Sequence, residues 1–382
     1  MKSEVSQRRL QSLDLLRGLD MMFLTVVGPL LWAVDAVWGL PDCVLFQLTH
    51  PWEGFTCWDI IMPMFLFMCG AAIPLSLERR IERAGGSPDF AYWKHVICRV
   101  VMLWVLGMLV QGHLTSLDVL EIRPYNNTLQ TIAFGYLVCA AAICVKSMKF
   151  RIALPVVCFV AYGLLVHFLG DYSMQGNFAY RFENAVLSAV LPAGSKAIHE
   201  IGEMGYLPDI TEKGEICYTW ILTSPMFVFM TFCGYFATRI LQAEAEPRRK
   251  AVRLAVYGAS LLALGWILTF AGVRMVKHIF TVSFTAQAMG WCVLLLDALY
   301  VLTDVFGVRR GLGLPVLFGQ FALTAYLMEE FFKPVTVKFA EMLTPGFPHL
   351  LGTDRYQPLI VAVVVVLEIV AVLLIRRKIK QR

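Results

Sequence analysis

The chain has 382 residues, of which 58% are hydrophobic and only 16% charged, and its mean hydropathy is +0.66. Soluble domains carry about 25% charged residues, so this composition excludes an ordinary soluble fold and indicates a polytopic membrane protein. The net charge of +5 is no nucleic-acid signature, because the basic residues sort by side of the membrane.

Ten apolar stretches are each long enough, at roughly 17–25 residues, to cross a bilayer core of about 30 Å as helices. They are predicted near 19–40, 59–77, 96–112, 128–145, 152–169, 217–238, 254–272, 279–303, 314–333 and 358–375. Lipid cannot satisfy bare backbone groups, so the expected fold is all-α, a bundle of about ten transmembrane helices forming one domain over 1–382. With the N-terminus inside, alternate connections collect 23 Lys and Arg on one side and 9 on the other, with Arg99 left within a span. The positive-inside rule then places both termini in the cytoplasm.

Asp14, Arg17 and Asp20 interrupt the region where a cleavable signal would need an unbroken apolar core, so the first helix is expected to stay in the mature protein. Their spacing by three sets them near one helix face. They suit a buried ion cluster that fixes packing, or a hold for a charged ligand entering from the cytoplasm.

The most informative stretch is His50 to Gly70, HPWEGFTCWDIIMPMFLFMCG, in which a polar and aromatic loop runs into an apolar span headed by Asp59. An ionisable residue at that depth is expensive and marks function by default. His50 is suited to move protons near neutral pH and so to activate an amine or hydroxyl; an interfacial histidine bonded to water is the plainer alternative. Trp52, Glu53 and Trp58 supply the aromatic platforms and acid that a sugar-like acceptor needs, although both tryptophans equally suit the interfacial belt. Asp59 can orient His50, bind the acceptor, or cap the second helix.

Arg99 sits in the cytoplasmic half of the third span with no acid at helical spacing, so its partner is an acid on another helix or a ligand phosphate. The longest connection, about 170–216, alternates aromatic and polar residues and reads as a folded cap on the outer side. Lys277 and His278, at the outer start of the eighth span, are either interface anchors or two nitrogen donors for an oxygen-rich acceptor. Glu329, Glu330 and Lys333 form a compact self-neutralising set. Seven of the ten cysteines fall in spans, where they act as small apolar residues. No CxxC or Cys/His spacing suggests a metal.

RLQSLDLLRG (9–18) resembles the opening motif of the transmembrane acyltransferases that include lysosomal heparan-α-glucosaminide N-acetyltransferase and its bacterial relatives. The His50–Gly70 stretch is similar to that family's second motif, a histidine followed by W-x-G, a D-[LI]-[IV]-x-P and F-x-F. NNTLQTIAFGYL (126–137), VKHIFTVSF (276–284) and FGQFALTAYLMEE (318–330) resemble later family segments in the same order. The resemblance implies that acetyl-CoA, or another acyl-CoA, enters from the cytoplasm. The acceptor would be an amino sugar or sugar hydroxyl at the outer face of a bacterial inner membrane, with no metal. His50 would be the general base, or carry an acyl-histidine, with Asp59 from the same motif. Trp52, Glu53, Trp58, Asn127, Gln130, Lys277 and His278 would meet the acceptor; Asp14, Arg17 and Arg99 would meet the coenzyme. A homodimer follows by analogy alone.

The chain departs from the family where His50 lies four rather than five residues before Gly54, where Gly28 replaces an asparagine, where Gln130–Thr131 replaces a Gln-Arg pair, and near Glu329, where a histidine is lost. Two other readings remain open: a transporter or flippase of a sugar or lipid-linked substrate, and a non-catalytic relative that kept the scaffold.

Overall fold

The computed structural model describes residues 10–198, 218–243 and 246–381. Among these residues the fold is all-helical, and eight helices are long and apolar enough to cross a membrane. We label them with the shorter helices in chain order: α1 (Gln11–Trp38), α2 (Trp58–Arg83), α3 (Phe90–Val110), α4 (Thr128–Cys144, a shorter apolar helix), α5 (Met148–Leu169), α6 (Phe178–Val190), α7 (Ser224–Ala243), α8 (Pro247–Phe270) and α9 (Val282–Val305). After these come α10 (Gly313–Gln320), α11 (Ala322–Glu330), α12 (Lys333–Leu343) and α13 (Gln357–Gln381).

Three differences from the expected spans have visible causes or sites. The first helix begins at Gln11, so Asp14, Arg17 and Asp20 lie within it. The sixth begins at Ser224 rather than near 217, because the N–H groups of Trp220 and Ile221 bond to a glutamate side chain instead of continuing the helix. The ninth is interrupted at Phe321, whose φ of −124° and ψ of 31° separate α10 from α11. Of the predicted cap, α6 and its flanks are folded, and residues 199–216 lie outside the described residues.

The chain divides into two compact units, one of residues 50–294 and one of residues 1–49 with 295–382. In the first, α2 packs along α7 with no side chain between them at two points. A Cβ on Gly70 would stand 1.7 Å from Thr231 O, and one on Gly234 would stand 1.8 Å from Phe67 O. Such small-residue contacts are how helices approach closely in lipid, where the hydrophobic effect gives no drive to associate. At the far end of α2 from Asp59, Glu78 accepts from Arg151 at 2.8 Å, Tyr235 at 2.7 Å and Arg239 at 3.2 Å, tying α2 to α5 and α7. Tyr92 on α3 donates to Ala140 O on α4 at 2.7 Å, and Gln111 just past α3 accepts from Asn127 just before α4 at 2.9 Å.

In the second unit α1 and α10 make the equivalent close contact through Gly18 and Gly319. Lys333 bonds Glu329 at 2.6 Å, the self-neutralisation expected of that set.

Candidate functional site

The site lies in the unit of residues 50–294, where the His50 loop meets the loop between α8 and α9. Asp59 occupies the 3-10 turn that opens α2 and is fully buried. Thr56 N–H donates to its Oδ2 at 3.0 Å, while Asp59 N–H donates back to Thr56 O at 3.2 Å. That reciprocal turn fixes the carboxylate and leaves Oδ1 for the imidazole of His50, whose Nδ1 lies 2.6 Å away. Gly54 N–H donates to Met275 O at 2.9 Å, joining the two loops. Its φ of +127° is one that only glycine adopts without strain.

The opposite loop is wound as tightly. Phe280, buried, has a φ of +43°, and its N–H donates to Lys277 O at 2.9 Å. Thr281 N–H donates to Val276 O at 3.1 Å, Ser283 Oγ to Arg274 O at 2.9 Å, and Tyr162 Oη to Ile279 O. A bulky residue held at positive φ costs about 1–3 kcal/mol and persists only where its surroundings fix it. Here the result is that Lys277 and His278 both turn inward. Lys277 Nζ stands 3.3 Å from Asp59 Oδ1, 3.0 Å from His50 Nδ1 and 3.3 Å from His50 Nε2. His278 is sandwiched between Trp52 (5.3 Å, 13°) and Tyr218 (4.7 Å, 27°). The Trp52 indole N–H donates to Tyr172 O at 2.9 Å, and its ring stacks on Tyr180 at 6.3 Å.

Burial and charge act together on these groups. The His50 pKa is lowered first by desolvation and then by the Lys277 charge, against the bond and charge of Asp59. Desolvation brings Lys277 down to about 8, with Asp59 opposing, so the ammonium stays mostly protonated at neutral pH. Desolvation, with the charges of His50 and Lys277, lowers His278 to about 3, so it is a neutral ring in an aromatic stack. His50 keeps about a third of its side chain accessible while Asp59 and Lys277 have almost none. A reactant can therefore meet the imidazole and not the groups behind it. With Nδ1–H donating to Asp59 Oδ1, Nε2 carries the lone pair and can act as a base.

The structure brings His50, Asp59, Trp52, Lys277 and His278 together. Lys277 and His278, expected as donors to an acceptor, both stand within the site, Lys277 against Asp59 and His50, and His278 inside the stack with no hydrogen-bond partner for its Nδ1 among the described residues. Glu53 is exposed and paired with Arg274 at 3.3 Å. Trp58 is buried at the start of α2. Asn127 and Gln130 are fully buried and shape the turn into α4: Asn127 Oδ1 accepts from Leu129 N at 2.7 Å, and Gln130 bonds Asn126 N and Pro124 O at 2.8 and 2.7 Å. Arg99 lies over the Tyr136 ring at 4.5 Å. Asp14 and Arg17, 3.8 Å apart, belong to the other compact unit. Sequence reasoning missed Thr56, Tyr218 and Glu183. Tyr218 falls at the start of a predicted span, where an aromatic reads as belt, and Glu183 is one of several acids in the cap with no motif around it.

Residues 9–196 match the family described as "Domain of unknown function (DUF5009)". That stretch includes His50, Asp59 and Glu183 and ends before Lys277. Comparison with curated proteins finds no match.

Proposed function

We propose that this chain is a membrane acyltransferase that moves an acetyl or longer acyl group from acyl-CoA to an amino sugar or sugar hydroxyl at the outer face. The observation that carries this reading is the 2.6 Å pair of a fully buried Asp59 and a partly open His50 at the head of a membrane helix. A carboxylate fixed on Nδ1 presents Nε2 as a general base, a recurrent arrangement for activating a nucleophile. The order and content of the motifs shared with the transmembrane acyltransferases supply the reaction class.

In the transfer His50 Nε2 takes the acceptor N–H or O–H proton as the nucleophile attacks the thioester carbonyl. The new C–N or C–O bond forms, the C–S bond breaks, and the proton passes from His50 to the departing CoA thiolate. Attack by His50 itself, through an acyl-histidine, uses the same lone pair. Trp52, beside the base, would flank the acceptor. Arg99 would face the coenzyme from within α3, eleven residues or about 16 Å along the helix from its outer end at Val110. We place the protein in a bacterial inner membrane on the same resemblance, with a homodimer as the expected assembly.

Purified full-length protein, radiolabelled acetyl-CoA and a panel of amino sugars and sugars test the reading. A positioned base contributes about 10²–10⁴-fold, and His50→Ala should lose that much of the transfer rate. Transfer that survives the substitution removes His50 from the role. The helix break at Phe321 and the buried Asp20 within α1 favour a second reading, transport of a polar substrate. No transfer to any acceptor, with no acyl-CoA binding by calorimetry, would favour that reading.

A further inference from the structure

We propose that Lys277 is a positioning residue that shares Asp59 Oδ1 with His50 and so keeps the His50 imidazole neutral. A carboxylate 2.6 Å from an imidazole, acting alone, favours the imidazolium. An imidazolium has no lone pair, and a base in that form is idle. In this site the carboxylate already has a cation, since Lys277 Nζ lies 3.3 Å from the same oxygen. A proton on His50 would then set two positive charges around one negative charge, 3.0 Å apart.

The lysine has nowhere else to place its charge. It is 3% exposed, and a buried ammonium persists only when paired. The inward-wound loop at Phe280 holds it there, and the Tyr218 ring faces its Nζ at 5.8 Å. Among the described residues, the charged and titratable groups facing His50 are Asp59 from α2, Lys277 and His278 from the α8–α9 loop, and the edge of Tyr218 at 6.3 Å. His278 is neutral and the Glu53–Arg274 pair nearby is self-compensated, so among the described residues Lys277 is the cation that offsets Asp59. The geometry therefore reads as an Asp–His base with a built-in counter-charge, in which Asp59 aims the ring and Lys277 cancels the charge that would protonate it.

The test reads His50 directly and needs neither acyl donor nor acceptor. Diethyl pyrocarbonate modifies an imidazole only in its neutral form, so the pH dependence of carbethoxylation at His50, localised by peptide mass spectrometry on the full-length protein in nanodiscs, reports its protonation. In the wild type the midpoint should lie below 6.5. Lys277→Met should raise it by about 1–3 pH units, the effect of an unopposed neighbouring carboxylate. Lys277→Arg should keep it near the wild-type value, and Lys277→Gln, which keeps a polar head without the charge, should raise it as Lys277→Met does. A midpoint unchanged in Lys277→Met or Lys277→Gln, or raised in Lys277→Arg, overturns the proposal. Should Lys277→Met fail to fold, Lys277→Gln and Lys277→Arg decide it. If the chain proves to be a transferase, the acidic limb of its pH–rate profile should move with the same midpoints. Absence of transfer in every variant would count against the transferase reading and leave the carbethoxylation result standing.

Discussion

Glu183 on α6 is 1% exposed and accepts the N–H groups of Trp220 at 2.7 Å and Ile221 at 3.0 Å. Desolvation raises its pKa from 4.5 to about 7 against the pull of those two bonds. Between these values the folded chain binds the proton more tightly than the unfolded chain, so this joint loses stability as pH rises through that window. Glu183→Gln keeps a carbonyl oxygen for both N–H groups and removes the charge. Thermal melts at pH 5 to 8 should show the Gln variant flat across the window and ahead of wild type at pH 8; parallel curves would refute the account. Glu183→Ala strands the buried Trp220 N–H, at about 1–3 kcal/mol, and the half-buried Ile221 N–H beside it. None of this is legible in the sequence, because nothing local to position 183 says what it accepts from 37 residues away. His50 and Asp59 were legible for the opposite reason: an acid at the head of an apolar run violates the local pattern, and a histidine nine residues before it is within loop reach. The role of Lys277 was not, since it depends on a positive φ at Phe280 that turns the lysine inward.

At the scale of elements, apolar length made the spans readable, and their ends were readable only where the backbone's own bonding decides them. The start of α7 is decided by Glu183, and the break at Phe321 falls in a run whose polar residues, Gln320 and Thr324, are too few to interrupt a span, so a hydropathy reading passes over both. The intimacy of α2 and α7 is likewise hidden, because a glycine in an apolar helix has no pattern to betray its contact. Gly234 makes the point testable. A Cβ there meets the Phe67 carbonyl oxygen at 1.8 Å, a backbone atom that cannot rotate away, so the helices themselves must separate. Gly234→Leu should therefore cost more than the ~1–3 kcal/mol of ordinary overpacking. It should lower the thermal midpoint and monodispersity of the detergent-solubilised protein. Gly272→Ala, where nothing lies within 4 Å, controls for the loss of a glycine, although its φ of +93° carries some strain of its own. A Gly234→Leu protein as stable as wild type would mean that α2 and α7 do not pack as described.

The whole molecule adds a constraint that no single helix shows. His50 and Lys277 touch, so the two loops that carry them must lie on one side of the membrane, and an even number of crossings must separate them. The long apolar helices between them are α2, α3, α5, α7 and α8, which are five. The parity is restored if α4, at 17 residues and about 25 Å, also crosses, as its antiparallel bonding to α3 at both ends requires. The positive-inside rule then predicts the sign: the side with 23 Lys and Arg should be cytoplasmic, and the site should face outward. Single cysteines introduced into a cysteine-free background and probed with a membrane-impermeant maleimide examine both steps. Val119→Cys, in the α3–α4 connection, should label in intact cells, whereas Ala84→Cys and Arg248→Cys should label only after permeabilisation. Labelling of Ala84→Cys and Arg248→Cys from opposite sides would break the parity and with it the contact between His50 and Lys277. The reversed pattern would keep the site intact but turn it to the cytoplasm, where acyl-CoA and acceptor would share a compartment and no transfer across the membrane would be needed.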